Sequence, residues 1–123
     1  MGISTDKAAK PVGAYVHAKE VGDLVFLSGA GPRHPKTDKI PEGIEAQTHA
    51  TFSNVMAILE AANLDMSNVV DIMVFLTNMN RDFNKFNSIY AEYLEGYEAT
   101  RTTVEVGALP TPISVEFKVV AKK

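Results

Sequence analysis

The chain contains no cysteine and no tryptophan. Without a thiol it can form no disulfide, no cysteine nucleophile and no thiolate metal site. No stretch approaches the ~18 consecutive apolar residues of a membrane span, and no apolar signal segment opens the sequence. A cytoplasmic protein with no membrane partner is the expectation. Positive charge is also scarce. Twelve Lys and Arg against fifteen Asp and Glu give a net charge of −3, which disfavours a nucleic-acid partner. The three histidines, His17, His34 and His49, have no metal-ligand spacing, so no metal is expected. Neither a G-x-G-x-x-G run nor a phosphate loop occurs, which leaves a nucleotide cofactor without support.

What the chain does have is an ordinary globular composition, 46% hydrophobic and 22% charged over 123 residues. One domain spanning residues 1–123 is expected, with residues 1–12 as a loose lead-in that ends near Pro11. Residues 15–21 and 24–28 read as strands around a turn at Gly22-Asp23. Residues 29–43 form a long Gly- and Pro-rich loop of the functional or mobile kind. Residues 44–62 read as a helix, because Thr48, Phe52, Val55, Leu59 and Ala62 alternate at spacings of four and three. Residues 69–77 are nearly all apolar, as in a strand covered on both faces. Asn80 is the expected cap of a second helix over 81–94, with Phe83, Phe86, Tyr90 and Leu94 inward and Gly96 ending it.

The closing segment alternates strictly over 101–106 and again over 114–119, so each run reads as a strand with one polar and one apolar side. Thr102, Val104 and Val106 form one apolar side, and Val115, Phe117 and Val119 the other. If the Gly107 to Ile113 segment turns these strands into a hairpin, Arg101, Thr103, Glu105, Ser114, Glu116 and Lys118 share one sheet face. The order is then β-β-α-β-α-β-β, an α+β fold with two helices on one face of the sheet. Two helices cover only one side. Large apolar residues on both sides of 24–27 and 69–76 therefore predict self-association.

Arg101 and Glu116 are the candidate catalytic pair. A guanidinium binds a carboxylate through two parallel hydrogen bonds, and a glutamate in a closed cleft can orient water or move a proton. The bland readings are a cross-strand ion pair of Arg101 with Glu105 or Glu116, and a solvated Glu116 paired with Lys118. Tyr15, Ser28 and Asn87 are polar candidates near strand ends or a helix, each equally at home at a rim or facing solvent.

From Gly13 to Ala121 the sequence resembles the RidA/YjgF family of reactive intermediate deaminases. The stretches that carry the resemblance are Gly13-Ala14-Tyr15, Val21 to Gly29, Ile44 to Thr48, Val74 to Thr77 with Met79-Asn80, Phe86-Asn87 with Tyr90 to Tyr93, and the block from Arg101 to Val119. The resemblance implies a chorismate-mutase-like fold, a homotrimer with sites between subunits, and no cofactor. It implies a cofactor-independent hydrolase of the 2-iminobutanoate/2-iminopropanoate deaminase type. Small 2-amino-unsaturated carboxylates such as 2-aminoacrylate would then become 2-oxo acids and ammonia. Arg101 would hold the substrate carboxylate and Glu116 the water, with Tyr15, Ser28, Asn87 and the backbone near Thr103 lining the pocket.

Some positions depart from the family pattern. His17 stands where a glutamine is usual, Thr103 where a cysteine is frequent, Lys118 where a second glutamate is usual, and Gly31 to Pro35 replaces a less charged stretch. His17, Arg33, Thr100 to Thr103 and Lys118 together are similar to the 2-aminomuconate deaminase branch, which would make Arg33 a second anion contact. Two other function classes use the same features. One is a non-catalytic binder of small carboxylic metabolites. The other is a ribonuclease or translation inhibitor, which the acidic charge disfavours.

Overall fold

Apolar residues recur at two periods along this chain, and each period builds one layer. The computed structural model describes residues 1–123. Strands β1 (Gly2–Ile3), β2 (Ala18–Val21) and β3 (Leu24–Leu27) come first, followed by helix α1 (Ile44–Ala61). Strand β4 (Val69–Leu76), helix α2 (Met79–Leu94), β5 (Thr100–Glu105) and β6 (Val115–Lys122) complete it. The six strands form one mixed sheet in the order β1-β2-β3-β6-β4-β5. Both helices lie on one face of it, as the alternation and the helical stripes predict. No helix is long and apolar enough to cross a membrane.

The core sits between that face and the helices. From α1 come Phe52, Val55 and Leu59, from α2 Phe86, Tyr90 and Leu94, and from the sheet Ile72, Val74, Leu76, Val115, Phe117 and Val119. Asn78 rather than Asn80 caps α2, its Oδ1 accepting from the Arg81 amide at 3.0 Å. The asparagine two residues earlier wins because Met79 and Asn80 already adopt helical geometry.

Two expectations are corrected. Residues 1–12 are not loose: β1 pairs with β2, and Ala8 is buried. His17 fixes this strap, its Nδ1 accepting from the Thr5 amide at 3.1 Å and its Nε2 donating to the Ala9 carbonyl at 2.7 Å. Asn54 adds a third tie by accepting from the Ala9 amide at 3.1 Å.

The second correction concerns the closing segment, which is not a hairpin. β5 runs parallel to β4 and β6 antiparallel to it, so β4 stands between them. Residues paired directly across strands share a face. Arg101 pairs with Ile72, Thr103 with Val74 and Glu105 with Leu76, so these polar residues lie on the helix side. Glu116 pairs with Phe75 and Lys118 with Met73, on the other side. Arg101 and Glu116 therefore project from opposite faces of the sheet.

That other face carries Leu24, Phe26, Met73, Phe75, Val104 and Val120 and nothing covers it within the chain. Phe26 remains 38% exposed and Met73 36%. An apolar sheet face of this kind is unusual on a lone domain.

Candidate functional site

The predicted site residues fall into two groups, one on each side of the sheet. Arg101, Asn87 and Thr103 make the first. α2 presents Asn87 toward β5, and Arg101 Nη1 donates to its Oδ1 at 2.7 Å. The guanidinium carbon lies 4.7 Å from the Tyr90 ring centroid, 5.8 Å from that of Phe83 and 5.8 Å from that of Phe86. Arg101 enters none of the five ion pairs of the chain. The cross-strand partner considered from the sequence, Glu105, instead accepts from the Met79 amide at 2.8 Å and helps cap α2. No carboxylate of the chain thus forms an ion pair with the Arg101 guanidinium. Beside it, Thr103 Oγ1 and Tyr90 Oη are the two buried side-chain polar atoms without a hydrogen-bond partner. Burial raises the Tyr90 hydroxyl above its ordinary value, and the nearby Arg101 charge partly opposes this.

Tyr15, Ser28, Arg33 and Glu116 make the second group. They line one cleft together with the N-terminal strap, Gly29 to Pro32, Asn54 and the 110–113 turn. Asn54 holds the long loop in place, donating to the Gly31 and Arg33 carbonyls at 2.8 and 2.9 Å. The loop is therefore fixed where it meets the cleft. Ser28 Oγ donates to the Val16 carbonyl at 2.7 Å, and the Tyr15 hydroxyl accepts from the Val12 amide at 3.0 Å.

Glu116 is half-buried at the centre of this cleft. Desolvation alone raises its carboxyl above the ordinary carboxylate value. It has no ion-pair partner, because Lys118 turns its ammonium to the Leu27 carbonyl instead. A carboxyl of this kind holds a proton more tightly than a solvated one and returns it at higher pH, which suits proton transfer.

Gly29 explains how the carboxyl comes so close to the chain. A Cβ built there would stand 2.8 Å from Glu116 Oε2 and 3.0 Å from Cδ. Gly29→Ala is therefore expected to fold normally while displacing the carboxylate. A misplacement of about 1 Å can cost up to ~10²-fold in rate, so kcat should fall by ~10-fold or more with little change in melting temperature. Steady-state kinetics beside a thermal melt would check both halves of this expectation.

Arg33 lines the cleft but its charge is already taken. Nη1 contacts Asp38 Oδ1 at 2.6 Å, Nη2 donates to the Lys10 carbonyl, and the side chain is only 17% exposed. It is neither a solvated loop arginine nor a free second cation. His17 also lines the cleft, with both ring nitrogens engaged by the strap. The sequence reading missed three contributors: the Phe83, Phe86 and Tyr90 rings around Arg101, Gly29 beneath Glu116, and Asn54. The rings were legible only as a core stripe. Only the Cβ clash marks Gly29, and no sequence signal distinguishes Asn54.

Comparison with known proteins places this geometry. The family model described as Endoribonuclease L-PSP matches residues 5–123. A RutC family protein of Sulfurisphaera tokodaii is 42% identical over 122 residues, covering 98% of this chain and 97% of that protein. TdcF of Escherichia coli, provisionally named a reactive intermediate deaminase, is 34% identical, with 97% and 94% covered. Among solved structures, RidA from an Antarctic Psychrobacter species superposes with a TM-score of 0.96 at 36% identity, covering 100% of this chain and 99% of that one. Escherichia coli TdcF with bound serine superposes with a TM-score of 0.93 at 32% identity, with 100% and 98% covered.

Proposed function

This chain belongs to the RidA/YjgF family of reactive intermediate deaminases, and from that premise we propose that it hydrolyses small enamine and imine carboxylates to 2-oxo acids and ammonia. The observation that carries this reading is the division of the site. An uncompensated guanidinium lies on one side of the sheet, and an unpaired, desolvated carboxyl on the other. Neither half can complete itself within one chain, because the two groups project from opposite faces of the sheet. A second copy can complete both if its Glu116 cleft meets the β5 edge of the first. The exposed apolar sheet face supports such an assembly, and a homotrimer would contain three equivalent sites of this kind.

The chemistry follows from where the charges stand. A 2-aminoacrylate-type enamine tautomerises to its imine, and Arg101 takes the carboxylate while Asn87 and Thr103 flank it. Glu116 of the neighbouring copy accepts a proton from water as the oxygen bonds to the imine carbon. That proton passes to the imine nitrogen and gives a carbinolamine; the carboxylate then takes the hydroxyl proton and delivers it to the amino group, so that the C–N bond breaks and ammonia leaves as the carbonyl forms. Such imines hydrolyse unaided, so holding the reactants together with modest proton transfer suffices. Tyr15 and Ser28 wall the acidic half.

The pairing of Arg33 bears on the choice of substrate. With Asp38 and the Lys10 carbonyl on its guanidinium, it offers little to a second carboxylate. A monocarboxylate with a small neutral side chain is therefore favoured over 2-aminomuconate. The description of the family model favours a second reading, RNA cleavage. The net charge of −3 weighs against it.

Complementation tests the shared site. Arg101→Ala and Glu116→Gln proteins are each expected to keep at most about one per cent of the parental ammonia release from freshly generated 2-aminoacrylate. Unfolded together in equal amounts and refolded, they should recover about a quarter of the parental activity, because random mixing pairs an intact arginine with an intact glutamate in that fraction of sites. No recovery in mixtures that assemble normally would refute the division of the site between copies.

A further inference from the structure

The way Arg101 is held differs from the way the chain holds its other arginines. The sequence contains three arginines, Arg33, Arg81 and Arg101. Arg33 is paired with Asp38 at 2.6 Å and Arg81 with Asp82 at 2.7 Å. Arg101 has no acid. Phe83, Phe86, Asn87 and Tyr90 recur at helical spacing along one face of α2. They surround the guanidinium with three aromatic rings and one neutral amide.

We infer that this aromatic face of α2 is the positioning device of the carboxylate clamp, with the Tyr90 ring as its principal platform. The inference deepens the deaminase reading above and rests on it. A guanidinium that must bind an incoming carboxylate needs a fixed orientation before the ligand arrives. A carboxylate partner would fix it, but would also compete with the substrate for the same donors. Ring faces orient a cation through their quadrupole and leave its N–H edge free. Tyr90 suits the task best: its centroid is nearest, at 4.7 Å, and only 8% of the residue is exposed, so the contact is largely desolvated. Packing against Phe52, Phe86 and Phe117 holds the ring in place.

The ring, and not the hydroxyl, does this work. Tyr90 Oη has no partner in the fold. Tyr90→Phe should therefore leave the clamp intact, whereas Tyr90→Leu keeps an apolar side chain but removes the π face. A clamp that binds ground state and transition state alike acts on KM and not on kcat. Tyr90→Leu is expected to raise KM by about tenfold, equivalent to about 1.4 kcal/mol, with kcat within about twofold of the parent. Tyr90→Phe should keep KM within about twofold. Phe83→Leu, at a less buried position, should raise KM by about threefold and keeps the inference testable if Tyr90→Leu fails to fold.

Pyruvate, a product of the proposed reaction, gives a readout that needs no turnover. Its dissociation constant, measured by calorimetry on the full-length protein, should rise about tenfold in Tyr90→Leu and stay unchanged in Tyr90→Phe. If the parent binds pyruvate in this ring-dependent way but deaminates nothing, the deaminase reading falls and the positioning role stands. Folded Tyr90→Leu and Phe83→Leu proteins that bind pyruvate as the parent does would overturn the inference, whatever the turnover. A Tyr90→Phe protein as impaired as Tyr90→Leu would overturn it too, by assigning the effect to the hydroxyl. A parent that neither binds pyruvate nor releases ammonia would remove both conclusions together.

Discussion

Arg101→Ala is expected to lower kcat/KM for 2-aminoacrylate by about 10³-fold, equivalent to about 4 kcal/mol of transition-state binding. The size follows from the surroundings of the guanidinium. It is held against rings and enters no internal ion pair, so the substrate carboxylate would be its direct ionic partner. Removing the side chain leaves that carboxylate beside the orphaned Thr103 hydroxyl and the Asn87 amide, neither of which carries charge. Arg101→Lys should recover part of the loss and no more, because an ammonium cannot make two parallel bonds to a carboxylate. Stability should change little, since Arg101 closes no salt bridge. A coupled assay of ammonia release, read beside thermal melts, measures both. Full activity in Arg101→Ala would remove the carboxylate clamp from the mechanism.

Glu116→Gln is expected to lower kcat by about 10²- to 10⁴-fold with a small change in KM, the range seen when a positioned acid–base group is lost. Glutamine keeps the shape beside Gly29 but cannot accept a proton. The same substitution should also stabilise the fold near neutral pH. Burial raises the Glu116 carboxyl, so the unfolded chain gives up this proton at lower pH than the folded one. Between the two values folding takes up a proton, and stability falls as the pH rises through them. At neutral pH the native protein thus carries a desolvated carboxylate at a cost that glutamine lacks. Glu116→Gln should melt above the parent near pH 7, with the difference closing below about pH 4, where both folded and unfolded glutamate are protonated. Calorimetric melts across this range would reveal the trade. A variant that melts below the parent at neutral pH, or keeps full kcat, would deny Glu116 this double character.

The parts of the fold that were legible in the sequence are those encoded by local period. Thr48, Phe52, Val55, Leu59 and Ala62 are all buried, as their spacing requires. The alternation within β6 is likewise present from Val115 to Ala121, whereas in β5 it breaks at Val104. Alternation fixes which side chains share a face within one strand. It says nothing about which strands become neighbours or how two strands are phased. β6 inserts between β3 and β4, and the 106–114 segment carries the chain over β4 to reach that slot. A hairpin was the simpler reading of the same residues, and it put Arg101 and Glu116 on one face.

The polarity of β5 misled for a second reason. Its charged side meets the helix layer, because the α2 rings accept a cation there, while Thr102 and Val104 join an apolar face that is open. The strap over the cleft has no period at all. Long-range bonds from His17 and Asn54 fix it, and sequence pattern cannot register such bonds. The structure gathers Tyr15, Ser28, Arg33 and Glu116 around one cleft and Arg101, Asn87 and Thr103 beside β5. The placement of Arg101 and Glu116 on opposite faces of the sheet was invisible, because it depends on strand order.

The position of β5 at the rim of the sheet has one more consequence. Its outward amides and carbonyls have no strand to pair with in the single chain, and the apolar face beside it is equally bare. A single chain thus displays the two attributes that favour runaway edge-to-edge stacking. If the assembly proposed above covers that face and edge, slow assembly, dilution or a damaged contact surface would on these grounds be punished first by insolubility.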